Sequence, residues 1–177
     1  MRGKQIRAPR DLPVRPTTDM AKEGLFNILN NRFFFDDVKL LDLFSGIGSI
    51  TLEMLSRGCQ QITAVDNHRG CVLFLQKVLD DINADGIEVV KADALAYLRS
   101  AYATYDIVFA DPPYEFPDYD EIIHLVFDRE LLKTDGVLIL EHDRRRDFSQ
   151  HPMFNEQRNY GGVSFSFFSE KTIDVIA

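Results

Sequence analysis

Apolar residues along this chain fall in short blocks that alternate between two spacings. Val38-Lys39-Leu40-Leu41-Asp42-Leu43, Gln61 to Val65, Ile87 to Val90, Tyr105 to Ala110 and Val137 to Glu141 are compact runs rich in aliphatic and β-branched residues, and they predict buried strands. Between them, apolar positions recur at helical spacing. They predict helices from about Thr18 to Asn31, Ile47 to Arg57, Gly70 to Ile82, Ala94 to Arg99 and Tyr119 to Phe127. Thr17-Thr18-Asp19 offers capping side chains to the first helix, and Gly58 closes the second. A further turn is expected near Glu130 to Leu132. Asn155 to Tyr160 and Val163 to Phe168 flank Gly161-Gly162, the pattern of a hairpin. Ahead of these elements, Pro9, Pro13 and Pro16 leave little room for helix, and Gln5-Ile6-Arg7 reads as a short extended piece.

Strands that alternate with helices imply an α/β fold, with a mostly parallel sheet covered on both faces and an antiparallel hairpin at its end. A chain of 177 residues fits one domain. It is read as a basic arm over 1–22 and a sheet core over 38–170. No apolar run approaches the ~18 residues of a membrane span, and the basic N-terminus lacks the apolar segment of a secretory signal. The expected location is the cytoplasm. Cys59 and Cys71 have no Cys or His at metal spacing, so two reduced, partly buried thiols and no metal site are expected.

Charge sharpens the picture. The net charge of −8 argues against a dominant phosphate-binding surface. Its distribution is uneven. Residues 1–24 carry six basic against three acidic side chains, which leaves −11 on the rest. A basic arm on an acidic body is one way to touch RNA locally.

In parallel α/β sheets, ligands bind beyond the carboxyl ends of the strands. Four predicted strands end in acidic stretches: Asp42-Leu43-Phe44-Ser45-Gly46-Ile47-Gly48, Asp66-Asn67, Asp93-Ala94 and Asp111-Pro112-Pro113-Tyr114. Gly46 and Gly48 let the backbone turn tightly and approach a ligand. A dinucleotide fingerprint would need a third glycine where Thr51 stands. Asp66 suits the hydroxyls of an adenosine ribose, whether of NAD or of S-adenosylmethionine. Asp93 can accept from an adenine amino group, cap the following helix, or both.

Asp111-Pro112-Pro113-Tyr114 is the most informative stretch. Paired prolines restrict the backbone and remove its N–H groups, so the Pro112 carbonyl can face a cleft. Asp111 adds a second acceptor, and Tyr114 a flat aromatic face. The exocyclic amine of a purine is a poor nucleophile because its lone pair is delocalised into the ring. Two acceptors on its N–H groups favour a pyramidal nitrogen with the lone pair exposed, and an aromatic face holds the base. Asp111 can also take the departing proton.

These strand ends resemble those of class I S-adenosylmethionine-dependent methyltransferases that act on amino groups. Arg15-Pro16-Thr17-Thr18-Asp19, Glu23-Gly24-Leu25-Phe26-Asn27 and Leu55-Ser56-Arg57-Gly58 narrow the resemblance to RsmD-type 16S rRNA guanine-N2 methyltransferases, from about Gly3 to Phe168. The resemblance implies a seven-stranded Rossmann-like sheet, S-adenosylmethionine as donor, and a guanine of 16S ribosomal RNA in the small subunit as acceptor. It implies a cofactor site of Asp42, Phe44, Ser45, Gly46, Gly48, Asp66, Asn67, Asp93 and Ala94. Asp111, Pro112 and Tyr114 would be catalytic, and Arg7, Arg10, Arg15, Thr17 and Pro113 would face the RNA, in a monomer. The resemblance also implies a longer strand before Gly3-Lys4, and this sequence is expected to start inside that piece. A DNA adenine-N6 methyltransferase and a non-catalytic nucleotide-binding module remain alternatives on the residues alone. A protein-glutamine methyltransferase would carry Asn in place of Asp111. His68, His124, His142 and His151 read as surface or packing residues. Arg144-Arg145-Arg146 is left open between an RNA contact and a solvated turn.

Overall fold

The computed structural model describes residues 6–14 and 17–170. The elements run α1 (Asp19–Asn30), a 3-10 turn at Phe35–Asp37, β1 (Lys39–Leu43), α2 (Ser49–Ser56), β2 (Gln61–Asp66), α3 (Arg69–Asp81), β3 (Ile87–Lys91), α4 (Ala94–Ser100), β4 (Tyr105–Ala110), α5 (Tyr119–Asp128), β5 (Leu132–Asp143), β6 (Phe154–Tyr160) and β7 (Val163–Phe168). The strands form one seven-stranded sheet in the order β3-β2-β1-β4-β5-β7-β6. β3, β2, β1, β4 and β5 pair in parallel, and β7 pairs antiparallel with both β5 and β6. The expected parallel sheet with a terminal hairpin is present, and Gly161 makes its turn at φ +62°.

The strands are apolar at consecutive positions because each face meets helices. On β4 and β5, Ile107, Phe109, Val137 and Ile139 join Leu25, Phe26 and Leu29 of α1 and Met54 of α2 in one core layer. Their neighbours Val108, Leu138 and Leu140 join Leu98 of α4 and Ile122, Ile123 and Val126 of α5 in another. Residues of opposite parity therefore feed opposite layers, as a doubly covered sheet requires.

Three expectations shift. Ile6 and Arg7 lie in no strand, and Gln5 is outside the described residues. The turn expected to reach Leu132 is over by Glu130 (φ +53°); Leu132 opens β5 and pairs with Tyr105. The polar stretch Lys133-Thr134-Asp135-Gly136, with Asp135 at φ +65° and a shift in pairing register, hides this early half of the strand from any apolar pattern. The second helix starts at Ser49 instead of Ile47, because Gly48 precedes it at φ +86°, outside helical space.

Gly48 also has no side chain to cap α2, and Asp42 fills that role from β1. One Asp42 oxygen, Oδ2, accepts from the Thr51 backbone N–H (3.2 Å) and from the Thr51 hydroxyl (2.6 Å). Asp42 is buried, and burial is the main reason its carboxyl is pushed up to about 7; the Thr51 bonds pull the other way and the nearby Asp66 charge adds to the rise.

Two outcomes follow from this corner. Below the ordinary carboxylate pKa of 3.8, Asp42 is protonated in both folded and unfolded chains. As pH rises toward about 7 the unfolded chain ionises first, so the stability that protonated Asp42 contributes is lost over that window. Asp42→Asn keeps one acceptor for both Thr51 donors and cannot ionise. Its stability relative to the natural protein should therefore improve by roughly 3 kcal/mol between pH 4 and 7, measured by urea unfolding; parallel pH profiles would refute this. Gly48→Ala places a Cβ 2.4 Å from Cδ1 of buried Leu75, at a left-handed φ. It should cost about 2–4 kcal/mol in the same assay.

Candidate active site

β1 and β4 are neighbours, yet β1 continues into α2 on one face of the sheet and β4 into α5 on the other. Their C-terminal loops diverge and open a cleft of about 610 Å³. That volume is in the range of small-molecule sites, ~300–1,000 Å³.

The β1 loop is stapled to the end of β2. The Ser45 N–H donates to the Val65 carbonyl (3.0 Å), and the Gly46 N–H donates to Asp66 Oδ2 (2.8 Å). The other Asp66 oxygen accepts from the His68 N–H (2.8 Å). One carboxylate thus fixes the loop before it and the turn after it. Phe44 takes a left-handed φ of +58°, and Gly46 one of +54°. A Cβ on Gly46 would sit 3.2 Å from Val14 Cγ1, so the N-terminal segment lies against this loop. At the end of β3, Asp93 Oδ1 accepts from the Ala96 N–H (2.9 Å) and caps α4 while it lines the cleft.

At the end of β4, the Asp111 N–H reaches back to the Leu43 carbonyl (3.4 Å). Pro112 is buried, Pro113 exposed, and Asp111 and Tyr114 half-buried. The Phe116 N–H closes the turn on the Pro113 carbonyl (2.8 Å). The Phe116 ring then meets Phe44 edge-on at 5.2 Å and Tyr119 at 5.8 Å. The base-binding candidate loop and the glycine loop therefore touch through aromatic rings.

Of the residues expected at the site, Asp42, Phe44, Ser45, Gly46, Asp66, Asn67, Asp93, Asp111, Pro112, Pro113, Tyr114 and Thr17 line this one cleft. Gly48 and Ala94 do not: Gly48 faces Leu75 beneath the loop, and Ala94 is in the core. Arg7 and Arg10 are exposed and lie outside the lining; Arg15 lies outside the described residues. The cleft also takes in Pro13, Val14, His68, Cys71 and Glu141, which sequence reasoning passed over. Glu141 is buried near the end of β5, where its Oε2 accepts from the Thr17 hydroxyl (2.8 Å). The signal for it existed, since it is the acidic residue of the fifth strand and continues the series of strand-end acids. His68 caps α3, its Nδ1 accepting from the Cys71 N–H (3.3 Å). His142 is a buried packing residue bonded to the Ser166 hydroxyl (2.7 Å), and burial lowers its pKa, which favours the neutral ring.

Residues 1–169 match the family described as Conserved hypothetical protein 95. Ribosomal RNA small subunit methyltransferase D of Escherichia coli (strain K12) is 32% identical over 142 residues, covering 80% of this chain and 71% of the relative. YlbH of Bacillus subtilis (strain 168) is 31% identical over 147 residues, covering 81% and 79%. The solved structure of yhhF from Escherichia coli superimposes with a TM-score of 0.77 at 29% identity, over 89% of this chain and 88% of that one. With a family match across nearly its whole length and relatives above 30% identity covered over more than two thirds of theirs, the chain belongs to the ribosomal RNA small subunit methyltransferase D family.

Proposed function

We propose that this protein transfers a methyl group from S-adenosylmethionine to the exocyclic N2 of a guanine in 16S ribosomal RNA of the small subunit. The observation that carries the reading is that Asp111-Pro112-Pro113-Tyr114 opens into the same cleft as the glycine loop, Asp66 and Asp93. The relatives named for small-subunit rRNA methylation support the choice of RNA.

The residues present fit the cofactor. Phe44, Ser45 and Gly46 bring the backbone of the β1 loop to the wall of the cleft. Asp66 and Asp93 offer acceptors at successive strand ends, suited to ribose hydroxyls and to an adenine amine. Neither carboxylate is spent by its structural bonds, since a carboxylate has about four acceptor positions and the backbone N–H groups take only some of them. When bound, S-adenosylmethionine supplies an electrophilic methyl group on a sulfonium.

The chain's own part is to present the amine. Asp111 and the Pro112 carbonyl accept the two N–H groups of the guanine N2, which favours a pyramidal nitrogen and exposes its lone pair. Tyr114 stacks on the base, worth ~1–3 kcal/mol. The Asp111 carboxylate then takes the proton that the methylated nitrogen releases. Phe44 and Phe116 keep the two halves of the cleft in contact and limit water between them. Exposed Arg7 and Arg10 extend the reading to phosphates beyond the cleft, on a body whose remaining charge is negative.

Asp111→Ala should lower methyl transfer to unmodified small ribosomal subunits by at least ~100-fold, a loss typical of removing a preorganised polar group at the reacting centre. Its S-adenosylmethionine Kd should stay within about 3-fold, as for a mutation that spares binding. Natural turnover in this variant would remove Asp111 from the reaction and with it the reading of the loop.

A further inference from the structure

Arg144, Arg145 and Arg146 follow β5 directly, and the structure sends them three ways. Arg144 donates to the Gly161 carbonyl at the hairpin turn (2.9 Å). Arg145 is exposed and grips the Asp143 carboxylate with two bonds (2.9 and 3.1 Å). Arg146 turns inward and is half-buried. Its Nη2 donates to the Phe116 carbonyl (3.1 Å), and its guanidinium lies 4.1 Å from the centre of the Tyr119 ring.

Phe116 is two residues past Tyr114 and closes the loop. Its N–H closes the Pro113 turn, and its ring rests on Phe44 of the glycine loop. Pro112 and Pro113 lend the loop no N–H, and the bond from the Asp111 N–H to the Leu43 carbonyl is long at 3.4 Å. Tyr119 is held through its ring, which meets Phe116, Phe148 and Arg146. Its hydroxyl is buried and has no hydrogen-bond partner among the described residues. Burial pushes this phenol up to about 12, with the Arg146 charge opposing the rise, so Arg146 meets a neutral aromatic face. One guanidinium thus bonds the end of the Asp111–Phe116 segment and packs on the Tyr119 ring that the Phe116 ring meets.

We infer that Arg146 is a positioning residue: it holds the Asp111–Phe116 segment against the Phe44 loop, so that the acceptors for the target amine stay in register with the cofactor side of the cleft. The inference rests on the methyl-transfer reading, in which displacement by ~1 Å can cost ~100-fold in rate. It also assigns the three consecutive arginines to different tasks, with Arg146 acting through Phe116 and not through RNA.

The test compares R146A and R146K with the natural protein. The readouts are kcat and KM on unmodified small ribosomal subunits, the salt dependence of KM, S-adenosylhomocysteine affinity, and hydrogen exchange in peptides spanning Tyr114 to Phe116. R146A should lower kcat ~10–100-fold, leave KM and S-adenosylhomocysteine affinity within about 3-fold, and speed exchange in the loop. R146K, which keeps one donor but loses the flat stacking group, should recover part of kcat. A raised KM with a flattened salt slope and unchanged kcat would overturn the inference and make Arg146 an RNA contact. Natural values throughout would overturn it as well. If R146A fails to fold, R146K carries the test: a lower kcat at unchanged KM supports the inference, and a natural kcat refutes it. If the natural protein methylates no ribosomal substrate, the functional reading fails separately. Exchange in the loop then still decides whether Arg146 holds it, and unchanged exchange would overturn the inference.

Discussion

β1 and β4 lie side by side in the sheet, but the chain leaves them toward opposite faces. Two parallel strands cannot share a crevice-free end when their connections part in this way. The divergence creates the cleft, and the residues that line it come mainly from loops that leave strand ends and from the N-terminal segment laid across them. The opposing core layers hold the divergence in place, since α2 and α5 are each seated on an apolar bed on their own face of the sheet.

Within that crevice, carboxylates join structure to chemistry. Asp66 accepts from the backbone on both sides of the β2 end, Asp93 caps α4, and Asp42 caps α2 from the neighbouring strand. These bonds fix loops that would otherwise carry unsatisfied N–H groups at the helix starts. The acidic balance of the chain is therefore partly concentrated where backbone donors converge. The aromatic contact of Phe44 with Phe116 then couples the two sides of the cleft, and Arg146 bonds the Phe116 carbonyl beside it.

Most of the architecture was legible in the sequence, because strand ends and helix starts leave local marks. Asp66, Asp93 and Asp111 each stand at or just past the end of a strand, Asp42 stands one residue before the end of its own, and Gly161-Gly162 marks the hairpin. The less legible parts depend on contacts between distant segments. Thr17 and Glu141 meet although 124 positions separate them. Arg146 and Phe116 are 30 apart, and no periodicity joins them. The early half of β5 was hidden because its residues are polar and exposed, and its pairing with β4 shifts register at Tyr105. Gly48 was read as a ligand-facing glycine, but the crowding is on its other side, from Leu75 of α3. A glycine pattern records that space is short without saying which neighbour takes it.

In the proposed function the cleft presents the N2 of a guanine in small-subunit RNA for methylation. Its most direct measurement is transfer from labelled S-adenosylmethionine to unmodified small ribosomal subunits, naked rRNA and unmethylated duplex DNA in parallel, with each product digested to nucleosides. Labelled N2-methylguanosine is expected from the ribosomal samples, with no label in the DNA. Labelled N6-methyladenine from the DNA, with none in the RNA, would contradict the proposed function.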